Sequence, residues 1–496
     1  MVDKEISNVS LKEFVLVKGD ITGIQEFIFN VRSKKAANSI KGRSFFIKVL
    51  TEISIQYFFD KFNVIVSDRD KFKVSTSGGN FILILPNVAN AEELIQNAQK
   101  EFSLSLRFTG INIALNYTYL IENEYSKCLI KLNSNVRKNK LRLYGNINQT
   151  EFDSVFAAQS KADFDKIDKN EKWTSITNAL RNHNYFSIEK KGSFDLIVKD
   201  NSIELVGFTC LFHNNIGSDN LEIKDFLESL FPTDNNHILV FEDLSEKGVG
   251  VHKLGILKMD VDNLGTTLER ITSIQEHKEI DNELRDFFNK NLSSVINDNF
   301  KNQIYPVTAG GDDSFFVGNW RTILDLAIKI QGEFSKYQYF QDRGLTISAG
   351  YIIVNPKFPV VRFSQLADDA LHKAKYKFDK GNICIFNEVV SWEQLNEIMG
   401  FKKNLNKGVT DKSKGLLAKS RQAAIRGIDE NKVILRDSWE MSYFLRDCPN
   451  VGLVEEIRNH IKNYLTKSID SIDKKDKRAY RLILPIAARI LELEKR

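Results

Sequence analysis

Four aspartates in two short stretches carry the groups best suited to chemistry: Asp260 and Asp262, then Asp312 and Asp313. The second pair closes a Gly-Gly-Asp-Asp turn, Gly310 to Asp313, between apolar arms that include Val307 and Phe315. Adjacent carboxylates repel unless one is protonated or a cation lies between them. Hard divalent cations take carboxylate oxygens together with substrate phosphates. Asp260 and Asp262 are two residues apart in an apolar run, which sets them on one face of a strand. If that strand pairs with the hairpin, Asp260 and Asp313 can share metal ions. Two ions roughly 3.5–4 Å apart assist both the attacking and the leaving oxygen in phosphoryl transfer. The expected chemistry is metal-assisted attack at phosphorus. Asp260, Asp312 and Asp313 are its catalytic groups and its ligands for Mg²⁺ or Mn²⁺.

The elements that must hold these residues are legible nearby. Two apolar arms around a Gly-containing turn read as a β-hairpin. Gly310 and Gly311 lack a Cβ, so the backbone can take positive φ there and come close to a ligand phosphate. Residues 255–262 read as a buried strand, and Asn263, Leu264 and Gly265 lead from it into a helix. That order suits a nucleotide site at the carboxyl end of the strand, with Asp262 and Asn263 lining it. Downstream, 348–353 read as a strand, 366–375 as a helix and 381–386 as a closing strand.

The same order occurs earlier. A strand over 14–19 runs into Gly19-Asp20 and a helix, and Asp20 takes the place that Asp260 holds later. Gly78, Gly79 and Asn80 form a second hairpin tip, read with Asn80 standing where Asp312 stands. Residues 111–117 follow as a strand, then a helix with Lys127, Lys131, Arg137 and Lys138. Strand–helix–hairpin–helix–strand–helix thus appears twice, as a duplication of a whole domain. An amide cannot supply a carboxylate's charge. The first copy is therefore expected to bind nucleotide through Asp20, Gly78, Gly79 and Asn80, without catalysis. Arg32, Lys34, Lys35, Lys41 and Arg43 cluster beside its first helix. They read either as a solvated basic face or as a nucleotide or RNA contact.

The 496 residues suggest roughly three or four domains. Hydrophobic content of 42% and charged content of 27% are values of a globular chain with ample core. A net charge of +5 permits a nucleic-acid partner. The four cysteines, Cys128, Cys210, Cys384 and Cys448, make no C-x-x-C pair, which argues against a zinc site or a disulfide framework. The N-terminus does not read as a signal peptide, and no apolar run of about 20 residues occurs, so the cytoplasm is the default compartment. Residues 155–245 read as short strands and helices, and 391–496 as helical, with apolar residues from Leu482 to Leu491 at helical spacing.

Met259-Asp260-Val261-Asp262-Asn263-Leu264-Gly265, followed by Gly310-Gly311-Asp312-Asp313, resembles the polymerase/cyclase Palm domain in the large subunit of type III CRISPR effector complexes. Asp20 to Phe29, Gly42 to Phe46 and Ser77 to Phe81 look like that family's first Palm. The resemblance implies an α+β fold. It would hold a degenerate first Palm (11–154), a small intervening domain (155–245), a catalytic second Palm (246–390) and a C-terminal helical domain (391–496). The two Palms would be ferredoxin-like, and the C-terminal domain a bundle that docks neighbouring subunits. It further implies that Lys375 contacts a nucleotide triphosphate and that ATP is the substrate. The product would be a signalling nucleotide: cyclic oligoadenylate, or AMP joined to S-adenosylmethionine as co-substrate. Synthesis would depend on partner subunits, a guide RNA and a bound target RNA. No histidine precedes an aspartate, so the HD nuclease site of many family members is not expected. The other readings are a nucleotide-binding scaffold without turnover and a stand-alone diguanylate-cyclase-like enzyme. The Asp312-Asp313 pair argues against the first, and the duplicated domain against the second.

Overall fold

The computed structural model describes residues 14–31, 36–121, 123–142, 170–217, 220–234, 237–310, 312–376, 379–409, 450–470 and 474–496. Isolated positions 150, 415, 418 and 446 are described as well. Gly311, Arg32, Lys34, Lys35 and Cys448 lie outside the described residues.

The first unit comprises β1 (Phe14–Thr22), α1 (Ile24–Phe29), α2 (Ala36–Lys61), β2 (Lys73–Ser77), β3 (Asn80–Pro86), α3 (Ala91–Ser105), β4 (Asn112–Tyr119) and α4 (Tyr125–Lys140). Its sheet has the order β2-β3-β1-β4, all antiparallel. Between the units lie α5 (Asn170–Asn182) and a sheet of order β6-β7-β8-β5-β9. Its strands are β5 (Tyr185–Glu189), β6 (Ile197–Lys199), β7 (Ser202–Leu205), β8 (Phe208–His213) and β9 (Leu221–Glu222). A short ladder of β10 (Thr233–Asp234) with β11 (His237–Ile238) follows, and then α6 (Phe241–Glu246).

The second unit repeats the first. It contains β12 (Leu254–Asp262), α7 (Leu264–Arg270), α8 (Ile274–Arg285), α9 (Leu292–Asn299), β13 (Ile304–Gly310), β14 (Asp313–Asn319), α10 (Trp320–Phe334), β15 (Thr346–Val354) and α11 (Phe363–Tyr376). The strand order β13-β14-β12-β15 matches the first sheet, extended by β16 (Asn382–Ile385) and β17 (Glu388–Ser391). The order βαββαβ closes such a sheet because each crossover helix returns to the same face. Local signals fix the helix starts. Ser273 accepts from Glu276 N–H ahead of α8, and Ser391 with Gln394 forms a capping box ahead of α12 (Trp392–Gly408). The helices α13 (Val451–Asp470) and α14 (Lys474–Lys495) pack with α12.

The two units interlock. Both faces of β1 are covered: Val15 and Val17 join one core cluster and Leu16 the other. The strand therefore reads as a continuous apolar run rather than an alternating one. Helix α2 is buried almost all round, as a helix sandwiched between domains must be. It lies against the second unit's hairpin, where Lys41 Nζ donates to Pro306 O at 2.6 Å and Ser44 Oγ donates to Val307 O. In return, α8 of the second unit lies on β2 of the first.

Lys41 and Arg43 thus correct both readings of the basic cluster. Lys41 is fully buried at this interface. Arg43 is also buried, donates to Phe27 O at 2.7 Å, and lies over the Phe27 and Trp173 rings. They are neither a solvated face nor a nucleotide contact.

Candidate functional site

Strands β12 and β14 pair antiparallel with Asp260 opposite Asp313. Residues opposite one another in an antiparallel pair project from the same face, so the two carboxylates share one surface. Asp312 occupies the turn between Gly310 and Asp313, and its carbonyl accepts from Val261 N–H at 2.8 Å. Lys375, at the end of α11, is ion-paired with Asp260 Oδ2. Lys258, on the same face as Asp260, is ion-paired with Asp368 of α11.

The charge at this site is unbalanced. Burial, and then the charge of Asp312, push Asp260 up to about 6 against the pull of Lys375. Burial and Asp312 push Asp313 up to about 7. The Asp312 carboxyl reaches solvent at the turn, yet crowding by the surrounding protein strips enough water to raise it too. Among the described residues, no three His, Cys, Asp or Glu side chains converge as a closed metal cage. A facing carboxylate pair with surplus negative charge nevertheless fits Mg²⁺ or Mn²⁺. Such ions are held by one or two carboxylates, with substrate phosphates and water completing the shell.

The face bearing Lys258, Asp313 and Phe315 is roofed by α1 and α2 of the first unit, which leaves a cavity of about 160 Å³. Ile24, Ile28, Ile47 and Phe29 supply apolar wall, and Gln25, Ser44 and Lys48 supply polar groups. Turned to suit its neighbours, the Gln25 amide donates to Asp368 Oδ2 at 2.6 Å and to Ser364 Oγ, and it accepts from Lys258 Nζ. That network ties α1 of the first unit to the acid-bearing strand of the second.

The first unit carries the same constellation with different charges. Asp20 lies opposite Asn80, as Asp260 lies opposite Asp313. Lys140 of α4 pairs with Asp20 Oδ2 at 2.6 Å, as Lys375 pairs with Asp260. Lys18 donates to Asn133 Oδ1 at 2.9 Å where Lys258 meets Asp368. With its nitrogen toward Asp20, the Asn80 amide donates to both carboxylate oxygens at 3.1 and 3.2 Å. One carboxylate, one amide and one lysine are self-satisfied and need no divalent ion. Burial lowers the pKa of Lys18 against the pull of Asp20, and the neighbouring charges of Lys140 and Arg137 lower it further.

The register corrects the alignment of the two hairpins. Asn80 corresponds to Asp313, not to Asp312. Gly79 corresponds to Asp312: its carbonyl accepts from Ile21 N–H at 3.0 Å, as the Asp312 carbonyl accepts from Val261 N–H. The Gly-Gly letters invite an alignment that is one residue off. Asp262 is corrected too. It is 1% exposed, and Oδ2 accepts from Thr346 Oγ1, Ser348 Oγ and Gly381 N–H at 2.8–3.0 Å. It holds β15 and the 381 turn, and it does not face a nucleotide. Gly310 is outside the positive-φ region, whereas Gly78 (φ +58°) and Gly79 (φ +86°) are inside it. A Cβ on Gly78 would sit 2.9 Å from Gly310 O, and a Cβ on Gly310 would meet Lys48 Nζ. These two glycines let the hairpin tips of the two units touch. Asn263, in the left-handed region ahead of α7, accepts from Lys380 Nζ at 3.0 Å.

Lys140, Lys18 and Asn133 were not singled out by sequence reasoning, although a signal was present. Asn133 and Lys140 are seven residues apart, as are Asp368 and Lys375. Asp281 and His277, which bridge the units, gave no local signal.

Residues 253–384 match the family model described as Cas10/Cmr2, second palm domain, and residues 13–158 match that of Csm1 subunit domain B. Relatives named as CRISPR system single-strand-specific deoxyribonuclease Cas10/Csm1 (subtype III-A) align over most of the chain. That of Methanocaldococcus jannaschii is 26% identical over 77% of this chain, and that of Enterococcus italicus 24% over 77%. Both matched segments are similar to the Cas10/Csm1 family. The chain spans 60% and 55% of the length of those two relatives. The fold matches the apo Csm1–Csm4 cassette at a TM-score of 0.77 and the cassette in complex with cA4 at 0.75. Both are 18% identical, and the alignments cover 97% of this chain and 70% of the solved one. The first unit coincides with the segment that matches Csm1 domain B, and the second with the segment that matches the second Palm. Among the described residues, no helix is long and apolar enough to cross a membrane.

Proposed function

We propose that the chain is a nucleotidyltransferase that uses ATP to build a signalling nucleotide. It would act within a cytoplasmic type III CRISPR complex, with partner subunits, a guide RNA and a target RNA. The carrying observation is the Asp260–Asp313 pair with Asp312 beside it, set against the neutralised Asp20–Asn80 pair of the first Palm. A scaffold has no use for a repulsive acid cluster; a phosphoryl-transfer site does. Solved Csm1–Csm4 cassettes hold one ATP, pppApApA or cA4, which supports the same reading.

In this reading the donor nucleotide lies on the second Palm, with Asp260, Asp312 and Asp313 holding Mg²⁺ or Mn²⁺. The ion would supply charge neutralisation at the α-phosphate. Lys375 orients Asp260 and is placed to meet the triphosphate. The acceptor lies on the first Palm, where Lys18, Arg137 and Lys140 offer cations to its phosphates. The cavity under α1 and α2 adjoins Asp313 and Lys258 and offers Gln25, Ser44 and Lys48 as polar groups beside its apolar wall. The acceptor hydroxyl oxygen bonds to the donor's α-phosphorus, the bond to the β-phosphate oxygen breaks, and pyrophosphate leaves. The hydroxyl proton passes to solvent.

The test uses the full chain assembled with its complex and target RNA, given ATP, S-adenosylmethionine and Mn²⁺, with products read by mass spectrometry. Adenylate oligomers or an AMP adduct are expected from the parent chain. Asp313→Asn should lower the rate by about a thousandfold, since losing the ion's charge costs several kcal/mol of barrier. A well-assembled parent complex that yields no product leaves the nucleotide-binding scaffold instead.

A further inference from the structure

The nucleotide site depends on two Palms meeting in register, and one buried carboxylate of the second Palm bonds to the edge strand of the first. Asp281, on α8 of the second Palm, is 5% exposed. Its Oδ1 accepts from Ser75 Oγ at 2.6 Å and Ser77 Oγ at 2.7 Å, both on β2 of the first Palm. Its Oδ2 accepts from Arg285 at 2.6 Å and from Thr76 N–H at 3.4 Å. Strand β2 is the edge of the first sheet, and its register against β3 shifts between Lys73 and Ser75. An edge strand with a bulge is poorly constrained by its own ladder. Asp281 supplies the missing partner from the other domain.

Ser77 directly precedes Gly78 and Gly79, so the residues that Asp281 grips run straight into the first hairpin tip. That tip rests on Gly310, next to the turn that carries Asp312. One helical turn earlier, His277 Nδ1 is 2.7 Å from the Tyr125 hydroxyl at the start of α4. Helix α4 also carries Asn133 and Lys140. Helix α8 therefore contacts two of the first Palm's elements around Asp20, the β2 edge of the hairpin and α4.

We propose that Asp281 is a positioning residue. It clamps the first Palm's hairpin so that the acceptor side lies in register with Asp260 and Asp313. This rests on the nucleotidyltransferase reading above. A buried carboxylate with charge-assisted bonds to two hydroxyls holds geometry more tightly than neutral pairs do. A misplacement of about 1 Å between reacting groups costs on the order of 100-fold in rate.

The test compares the parent chain, Asp281→Asn, Asp281→Ala and the double variant Ser75→Ala/Ser77→Ala, each in the full complex. Pyrophosphate release is measured against ATP concentration, beside melting curves and amide exchange of residues 73–80. Clamping predicts a kcat lower by about 10- to 100-fold with KM for ATP within about twofold. Exchange in 73–80 should be faster. The combined Asp281 and Ser75/Ser77 variant should be no slower than the worse of its parents, because both break one contact. A purely structural role would lower the folded fraction and leave kcat of the folded enzyme alone; that result overturns the proposal. So does a parental kcat in both Asp281 variants. An inactive parent complex would instead overturn the reaction, while the exchange data would still report on the clamp.

Discussion

Putting a carboxylate back at position 80 tests the charge comparison between the two Palms. In Asn80→Asp, two hydrogen bonds from an amide to the Asp20 carboxylate, at 3.1 and 3.2 Å, are lost. Bonds to a charged acceptor contribute about 1.5 kcal/mol each at the low end. Like charges opposite one another across a strand pair then replace them. Lys140, 2.6 Å from Asp20, can serve both acids, and the Asp20 side chain keeps 17% of its exposure, which screens part of the repulsion. The net loss is about 2 kcal/mol, or about 2 °C in melting temperature for a chain of this size. The new pair also copies the acidic pair of the second Palm, so a divalent ion should return part of the loss. At tenfold excess over its dissociation constant, an ion returns about 1.4 kcal/mol. The assay is thermal unfolding of the full chain by circular dichroism, in chelator and in a Mn²⁺ series. The variant should melt lower in chelator and should gain more from Mn²⁺ than the parent does. Equal melting in chelator, or an equal gain from Mn²⁺, would refute the correspondence of Asn80 to Asp313.

The hairpin contact gives an asymmetric pair of outcomes. Gly78→Ala places a Cβ in the left-handed region and 2.9 Å from a backbone oxygen, and should cost about 1–3 kcal/mol in urea unfolding. Gly310→Ala meets the flexible end of Lys48 at ordinary φ, and should cost less. The His277–Tyr125 contact gives a pH dependence. Burial lowers His277 to about 4 from an ordinary 6.5, with Lys18 lowering it further and Asp281 opposing. The unfolded chain then binds the proton more readily, so stability is full above pH 6.5 and falls as pH drops toward 4. The slope is about 1.4 kcal/mol per pH unit from this group. His277→Gln should flatten that part of a urea-midpoint profile, and an unchanged profile would contradict it.

The acid pair was legible because its signal is local. Period-two spacing puts Asp260 on a strand face, and a Gly-rich turn puts Asp313 at the start of its neighbour. The duplication was legible for the same reason, since each copy repeats its own order of elements. Side-chain assignments failed where the partner is distant in sequence. Lys41 looks like a surface cation until the second unit's hairpin covers it, and Arg43 until Phe27 and Trp173 do. Asp262 looks like a ligand until Ser348 and Gly381 close around it. The offset between the hairpins was hidden because two glycines in a row align by identity, while the ladder counts from the paired residues on either side.

The interlocking of the two Palms also bears on how the chain is made. Ser44 and Val307 are 263 positions apart, and Val307, Tyr305 and Phe315 share a buried cluster with Phe29, Phe46 and Trp173. As the chain leaves the ribosome, the first Palm has its strands and helices long before it has the floor beneath α2. Until residues 304–317 arrive, that helix presents bare phenylalanine and isoleucine to the cell. The nascent first half should therefore engage chaperones and fold in earnest only once the second hairpin has emerged.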